Sequence, residues 1–263
     1  QRADGPCHRQ PGTNAREIER FSHGGNCASR GYAHLCWLAV LFDALPRPAA
    51  ELCPGVAHVP GWLAVEAQRD LVTRARETAR QYAGTPMAMV RPRLKSGQMS
   101  VFMLHLGHFW DYETYRYVDV KHGVEVPPLP HDMVQLAHNA LRAAADVSAD
   151  LTPWADTFHP DMALVNYYPP GATMGMHQDT YERTNAPVVS LSIGDDALFR
   201  IGNTENRNRP WDEVTLCSGD LIVFGGPKRL AFHGVPATRP ETLPAGCGLE
   251  SGLSLIHILT RRR

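Results

Sequence analysis

The chain has 263 residues, of which 43% are hydrophobic and 20% are charged, a composition that is ordinary for a globular protein with one main domain. Its formal net charge of −1 excludes a general basic attraction for nucleic acid, so a polyanionic partner would have to meet a local basic patch. The six cysteines lie far apart without a C-x-x-C pair, which argues against a zinc cage or a disulfide framework and favours a reducing, cytoplasmic compartment.

The N-terminal part of the chain lacks the patterns of a folded domain. Residues 1 to about 34 show no apolar periodicity, and the first residue is Gln1 rather than Met. We therefore expect residues 1–39 to be a disordered or non-native extension, and the folded domain to occupy residues 40–252. The apolar run Leu35–Phe42 is too short to cross a bilayer, so no membrane association is expected.

Two helices and a series of short strands are predicted in the middle of the chain. The stretches "GWLAVEAQRDLVTRARETARQYA" and "HDMVQLAHNALRAAADV" have helical apolar periodicity, and residues 86–130 between them favour short strands and loops. After Pro160 six short strands follow, separated by turn residues: "MALVNYY", "VVSLSI", "ALFRI", "EVTLC", "DLIVFG" and "RLAFHGV". This order predicts an α+β fold with a closed or two-sheet β core and helices packed outside it.

The stretch "MGMHQDTYE" carries a candidate metal-binding pair. His177 and Asp179 are two positions apart, so in an extended segment their side chains point to the same side. The best candidate for a third ligand is His233 in "RLAFHGV". Two histidines and one carboxylate leave three coordination positions open, which suits Fe(II) with a chelating co-substrate and oxygen better than it suits zinc. An isolated H-x-D is more often a loop pair that makes local hydrogen bonds, so the context decides.

The context resembles the AlkB family of Fe(II)- and 2-oxoglutarate-dependent dioxygenases over about residues 56–249. The segments "NYYPPGATMGMHQDTYE", "PVVSLSIGDDALFRIGN" and "GDLIVFGGPKRLAFHGV" join N-x-Y-x-P-G, H-x-D-x-x-E and a distal H-G in the family's order. The resemblance implies a double-stranded β-helix (jelly-roll) core with flanking N-terminal helices and a nucleotide-recognition lid at residues 40–252. It also implies Fe(II), 2-oxoglutarate as co-substrate, and O2.

The family's functional residues transfer to matching positions of this chain. His177, Asp179 and His233 match the catalytic iron ligands, and Asn166 and Tyr168 match side chains that hydrogen-bond the 2-oxoglutarate carboxylates. The implied substrate-binding residues are Met99 and Ser100 in the lid, Trp110 and Tyr115 at its aromatic positions, and Tyr181 after the ligand Asp179.

Other aromatic and basic residues are open to two interpretations. Phe109, Tyr112 and Tyr117 are expected in core packing. The basic residues could form a local phosphate-binding patch or lie in solvated charged loops. They are Arg91, Arg93, Lys95, Lys228 and Arg229.

The implied activity is oxidative dealkylation of N-alkylated bases, as in DNA repair. The N-methyl group is hydroxylated and leaves as formaldehyde, with succinate and CO2 as co-products. The implied partners are alkylated single- or double-stranded DNA or, as an alternative, RNA, and we expect a monomer. A methyl group on the pairing face of a base also lowers the cost of extruding that base from a duplex.

Two departures from the family keep alternatives open. Tyr181 stands where the family has an acidic residue that meets the base, which makes a same-core oxygenase of proteins or small molecules an alternative. The last core strand of the family carries R-x-N-x-T-x-R, whereas this chain has "GLSLIHILTRRR" with no Arg before Arg261. The absence of these arginines leaves a catalytically silent jelly-roll module that binds nucleic acid as a third-ranked alternative. Our hypothesis is that residues 253–263 are a non-native tail translated from a sequencing adapter, which sequencing of the source locus tests.

Overall fold

The computed structural model describes residues 47–95, 97–182 and 184–261. The expected extension at residues 1–39 lies outside these residues. Within them, helix α1 (Val65–Gln81) and helix α2 (His131–Ala145) are accompanied by two short 3-10 helices, Ala149–Trp154 and Gly226–Lys228. No helix in the described part of the chain is long and apolar enough to cross a membrane.

The described strands are short and follow one another closely along the chain. In chain order they are β1 (Ala50–Cys53), β2 (Val56–Val59), β3 (Arg93–Leu94), β4 (Gly97–Gln98), β5 (Phe102–Leu106), β6 (Phe109–Asp111), β7 (Arg116–Val118), β8 (Val120–Lys121), β9 (Val124–Glu125), β10 (Met162–Tyr168), β11 (Met174–His177), β12 (Val188–Gly194), β13 (Asp196–Ile201), β14 (Asp212–Leu216), β15 (Leu221–Phe224), β16 (His233–Arg239) and β17 (Leu253–Leu259).

Both helices are amphipathic and pack with one face against the protein. Helix α1 lies within the stretch predicted to be helical and buries Leu71 and Val72. Helix α2 buries residues three or four positions apart: Met133, Ala137, Ala140, Leu141 and Ala144. This spacing places all five on one side of the helix, where they join the apolar core beside the large sheet.

Two antiparallel sheets enclose the interior. The seven-stranded sheet has the order β1-β2-β15-β12-β17-β10-β5, and the four-stranded sheet has the order β11-β16-β13-β14. Alternate residues of β12 serve the two sides of the large sheet: Val189 and Leu191 pack in the cluster that contains the helices, and Val188 packs in the cluster shared with the small sheet. The predicted α+β fold with a double-stranded β-helix core and flanking helices is confirmed.

Strand β17 lies in the centre of the large sheet, between β12 and β10, and all seven of its residues are buried. In the register, Leu255 lies opposite Asn166 on one side and Ser192 on the other. Alternate side chains of β17 point into the interior between the two sheets: Leu253, Leu255, His257 and Leu259. This face of β17 therefore carries no arginine. That residues 253–263 are non-native stays a prediction.

A buried carboxylate joins the start of the described chain to the large sheet. The Asp220 side chain is fully buried and accepts hydrogen bonds from the Arg47 guanidinium at 2.6 Å and from His58 Nε2 at 2.9 Å. The backbone N–H groups of Gly61 and Cys217 also donate to it, at 2.9 and 3.0 Å. Burial opposes ionisation of Asp220, but the hydrogen bonds from His58 and Arg47 outweigh it, so the pKa lies below its ordinary value.

Candidate metal centre and adjoining cavity

The predicted metal ligands come together at one end of the small sheet. His177 ends β11 and lies directly opposite His233, the first residue of β16. Asp179 follows in the next loop, with its carboxylate oxygens 3.8 Å from His177 Nε2 and 3.7 Å from His233 Nε2. One ligand atom from each residue lies within 4.8 Å of the others, so the three side chains can share one metal ion.

Backbone contacts orient both imidazole rings for metal binding. His177 Nδ1 donates to the Gly175 carbonyl at 3.0 Å, and His233 Nδ1 donates to the Ala231 carbonyl at 3.1 Å. Each bond leaves Nε2 with its lone pair facing Asp179. Two imidazole nitrogens and one carboxylate form the donor set of an Fe(II) facial triad. The residues therefore fit the metal that the sequence predicted.

The charge states of the ligands also suit a metal ion. Burial lowers the pKa of His233 to about 3, with a further contribution from His177, so this ring is neutral at physiological pH. Burial alone would raise the pKa of Asp179, but the electrostatic influence of the surrounding histidines, His233 first, and of Arg229 outweighs it and the pKa is lowered. A neutral imidazole and an ionised carboxylate are the forms that coordinate metals.

A cavity of about 620 Å³ opens beside the triad. Its lining includes all three candidate ligands and the predicted residues Met99, Ser100, Trp110, Asn166 and Tyr181. Two other predicted residues do not reach it. Tyr168 is 1% exposed, with its hydroxyl 3.7 Å from Met174 Sδ, and Tyr115 lies at the surface with its ring nearly perpendicular to that of Trp110.

Buried polar atoms without partners lie along this cavity. Within the described residues, Asn166 Oδ1, His105 Nε2 and His257 Nδ1 are buried and make no hydrogen bond, although all three residues line the cavity. Their strands are neighbours in the large sheet, where Leu164 lies opposite both His105 and His257. Unpaired buried polar groups are costly, so this side of the cavity suits a polar ligand such as an oxo-dicarboxylate.

Comparison with known proteins decides the family. The model of the 2OG-Fe(II) oxygenase superfamily matches residues 55–255, which include the whole triad. An alpha-ketoglutarate-dependent dioxygenase AlkB homolog from Caulobacter vibrioides is 39% identical over 215 residues, which cover 80% of this chain and 88% of that protein. The chain belongs to the AlkB family of Fe(II)- and 2-oxoglutarate-dependent dioxygenases.

Further relatives agree with this assignment. The DNA N(6)-methyladenine demethylase ALKBH1C of Arabidopsis thaliana is 31% identical over 213 residues, which cover 76% of this chain and 46% of that protein. The solved structure of OsALKBH1 superposes with a TM-score of 0.64 at 28% identity, over 81% of this chain and all of that one. The predicted enzyme class and the cofactors Fe(II), 2-oxoglutarate and O2 are confirmed.

Two interpretations of the AlkB-like sequence need correction. Phe109 is buried as expected, and Tyr117 packs half-buried against the core, but both Tyr112 and Tyr117 also line the cavity. Arg229 is 3% exposed and cannot belong to a surface phosphate patch. Its Nε donates to the Ala186 carbonyl and its Nη1 to the Asp179 carbonyl, so it supports the backbone of an iron ligand.

Sequence reasoning also missed residues that the fold brings to the cavity. Gln178, between two iron ligands, donates through Nε2 to the carbonyls of Thr204 and Leu230. Arg207, in the loop after β13, lines the cavity mouth. His105 lies on β5, far from any motif. Of these residues, only Gln178 could have been found from the sequence, because it stands inside the H-x-D motif.

Gly234 explains the glycine of the H-G motif. A Cβ atom at this position would lie 2.8 Å from the Met174 carbonyl oxygen and 2.9 Å from that of Gly175, closer than real Cβ contacts. We expect Gly234→Ala to push β11 away from β16 and to weaken Fe(II) affinity by roughly 10–100-fold, as changes beside metal ligands do. Calorimetric titration with the redox-stable mimic Mn(II) measures this, and wild-type affinity in a folded variant would contradict it.

Proposed function

We propose that this AlkB-family protein removes alkyl groups from nitrogen atoms of bases in DNA or RNA. An N-methyl group is hydroxylated and leaves as formaldehyde, with succinate and CO2 as co-products of 2-oxoglutarate oxidation. The observation that carries the proposal is the position of the triad, which opens into a cavity bounded by an aromatic wall and the lid. A flat, extruded base fits such a cavity because every base offers a π surface for stacking.

The aromatic wall is centred on Trp110. The ring centroid of Tyr181 lies 4.1 Å from that of Trp110, and the Tyr117 ring contacts it edge-on at 5.0 Å. The Tyr117 hydroxyl donates to the buried Glu182 carboxylate, whose other oxygen is 3.6 Å from the Arg229 guanidinium. This network supports the wall in the cavity that also holds the triad, so a base stacked on the wall would be able to present its alkyl group to the metal site.

The other residues of the proposed site hold the iron, the co-substrate or the nucleotide. His177, Asp179 and His233 hold Fe(II), and the bound iron and 2-oxoglutarate supply the oxidising chemistry. The Asn166 amide hydrogen-bonds the co-substrate, and the lid residues Met99 and Ser100 cover the nucleotide. Ser100 exchanges hydrogen bonds with the backbone of Thr173, which ties the lid to the strand that carries His177.

The names of the relatives support a choice of the first substrates to test. The Arabidopsis relative is named for DNA N(6)-methyladenine, so a methylated adenine in DNA is the first substrate to try, with methylated RNA as the second. We propose that the protein acts as a monomer in a reducing, cytoplasmic compartment, in keeping with the free thiols of Cys53, Cys217 and Cys247.

The test measures succinate and formaldehyde from Fe(II), 2-oxoglutarate and single-stranded DNA or RNA that carries one N-methylated base. We expect equal amounts of both products, and little succinate with the unmethylated strand. Trp110→Ala should lower kcat/KM for the methylated strand by roughly 10–100-fold, because stacking contributes about 1–3 kcal/mol per base. Binding of Fe(II) and 2-oxoglutarate should remain.

The second candidate is an oxygenase with the same jelly-roll core that acts on proteins or small molecules. It stays open because Tyr181 packs on the Trp110 ring, against which a base would stack. Succinate formation that is stimulated by a peptide or a small molecule, and not by any methylated strand, would favour it over nucleic-acid dealkylation. A silent binding module predicts strand binding without succinate. The intact triad argues against this last alternative.

A further inference from the structure

The ring of Tyr181 lies over a face of the Trp110 indole in the cavity beside the triad. The two ring centroids are 4.1 Å apart, and the ring planes differ by 36°. Aromatic pairs ordinarily have centroids roughly 4.5–7 Å apart, and edge-on pairs are not as close as this one. Tyr181 also lines the cavity, so the indole face that it covers is on the cavity side.

The other aromatic neighbours of Trp110 do not stack on it. The ring plane of Tyr117 is inclined by 68° at a centroid distance of 5.0 Å, and that of Tyr115 by 82° at 6.3 Å. In the part of the chain that the structure describes, Tyr181 is therefore the one ring stacked on Trp110. It takes the position that the proposed function requires for the base.

The rest of the Tyr181 side chain faces solvent. It is 55% exposed, more than any other large apolar side chain among the described residues. Side chains at the surface change rotamer on the picosecond to nanosecond timescale. The Tyr181 ring can therefore leave the indole without a rearrangement of the core.

The residues on either side of Tyr181 are held in place. The Asp179 carbonyl accepts a hydrogen bond from Arg229 Nη1 at 3.0 Å. The side chain of Glu182 is buried and accepts a hydrogen bond from the Tyr117 hydroxyl. Because both neighbours are fixed, a displacement of Tyr181 occurs by rotation of its own side chain, and the iron ligand stays where it is.

We propose that Tyr181 is a built-in competitor of the substrate, which covers the base-stacking face of Trp110 in the free protein and rotates into solvent when a base enters. The inference rests on the proposed function, since it requires a base as ligand. Only the fraction of molecules with the indole uncovered can bind, and the apparent affinity is reduced by that fraction. The reduction is the same for every base, so Tyr181 sets the strength of binding and not the choice of base.

The test compares Tyr181→Ala with wild type in binding the nucleoside N(6)-methyldeoxyadenosine, in the presence of 2-oxoglutarate and Mn(II), with which no turnover occurs. We expect Tyr181→Ala to bind the nucleoside about two- to tenfold more tightly, the factor that corresponds to one aromatic pair. Tyr181→Phe is the matched control, because it keeps the ring and should bind like wild type. Calorimetric titration measures the three affinities.

A second measurement detects the stacked pair without any substrate. In protein labelled with fluorotryptophan, the fluorine resonance of Trp110 is assigned by its loss in Trp110→Phe. Tyr181→Ala should shift this resonance, because it removes a ring whose centroid is 4.1 Å from that of the indole. Tyr181→Phe should leave it near its wild-type position. An unshifted resonance in Tyr181→Ala would overturn the stacked arrangement of the free protein.

The sign of the affinity change separates this inference from the function beneath it. Equal affinity in Tyr181→Ala and wild type would overturn the competition. Weaker affinity in Tyr181→Ala would overturn it as well, because Tyr181 would then stack on the bound base. Both results leave the proposed function standing. If neither wild type nor Tyr181→Ala forms additional succinate from Fe(II) and 2-oxoglutarate with any methylated nucleoside or strand, the proposed function fails, and this inference fails with it.

Discussion

Replacing His177 with Ala is expected to abolish the visible charge-transfer band that forms when Fe(II) and 2-oxoglutarate bind together under anaerobic conditions. His177 contributes one of three ligand atoms that lie within 4.8 Å of one another, and Ala offers no donor. Turnover should fall by more than roughly 100-fold, since even changes of outer partners of metal ligands cost 10–100-fold. Anaerobic titration followed by visible spectroscopy measures the band, and succinate formation measures turnover.

A histidine outside the cavity provides the control for this variant. His131 is exposed at the start of α2, so His131→Ala should keep both the band and the activity. If the band persisted unchanged in His177→Ala, the triad would be the wrong metal site. The absence of a band in wild type would point instead to the co-substrate side of the cavity, where β17 has no arginine.

Asp220→Ala is expected to lower the free energy of unfolding by about 3 kcal/mol, the lower end of the range for breaking a buried ion pair. The substitution leaves the buried His58 ring and the N–H groups of Gly61 and Cys217 without their acceptor. The expected loss of unfolding free energy is at the lower end of the range because the Arg47 side chain is 42% exposed and water can solvate it. Urea denaturation followed by circular dichroism measures the change.

The pH dependence gives a second measurement of the same group. The pKa of Asp220 is lower in the folded chain than its unfolded value of about 3.9. Its ionisation therefore stabilises the fold above that unfolded value, and the contribution is lost as pH falls through the folded pKa. Asp220→Asn should remove this part of the acid dependence. An Asp220→Asn protein whose stability falls in acid as steeply as that of wild type would contradict the prediction.

The sequence by itself determined the features that depend on near neighbours along the chain. The helical periods around Leu71 and Met133 predicted α1 and α2, because a helix can bury one face only if apolar residues recur every three or four positions. The pair His177 and Asp179 predicted a shared metal, since residues two apart in an extended segment lie on one side. With the family resemblance, His233 completed the site.

The tertiary structure alone decided which side chains are buried and which face the cavity. Arg229 and Arg207 are both arginines in loops, yet one is 3% exposed against an iron ligand and the other faces solvent at the cavity mouth. No local pattern distinguishes them, because the burial of each depends on strands distant in sequence. Tyr117 reaches the cavity for the same reason, through a contact with Glu182 that is 65 residues away.

The central strand β17 shows how the two levels combine. Its apolar residues suit a strand with both faces buried, but the place of Leu253–Leu259 between β12 and β10 follows from pairing with residues far earlier in the chain. Backbone pairing and burial require an apolar segment of the right length but no particular side chain. The segment Leu253–Leu259 meets that requirement. A carboxylate-binding arginine is a requirement of the site, and strand formation does not supply it. The sequence thus determined the elements and the metal pair, while long-range packing decided the cavity and its rim.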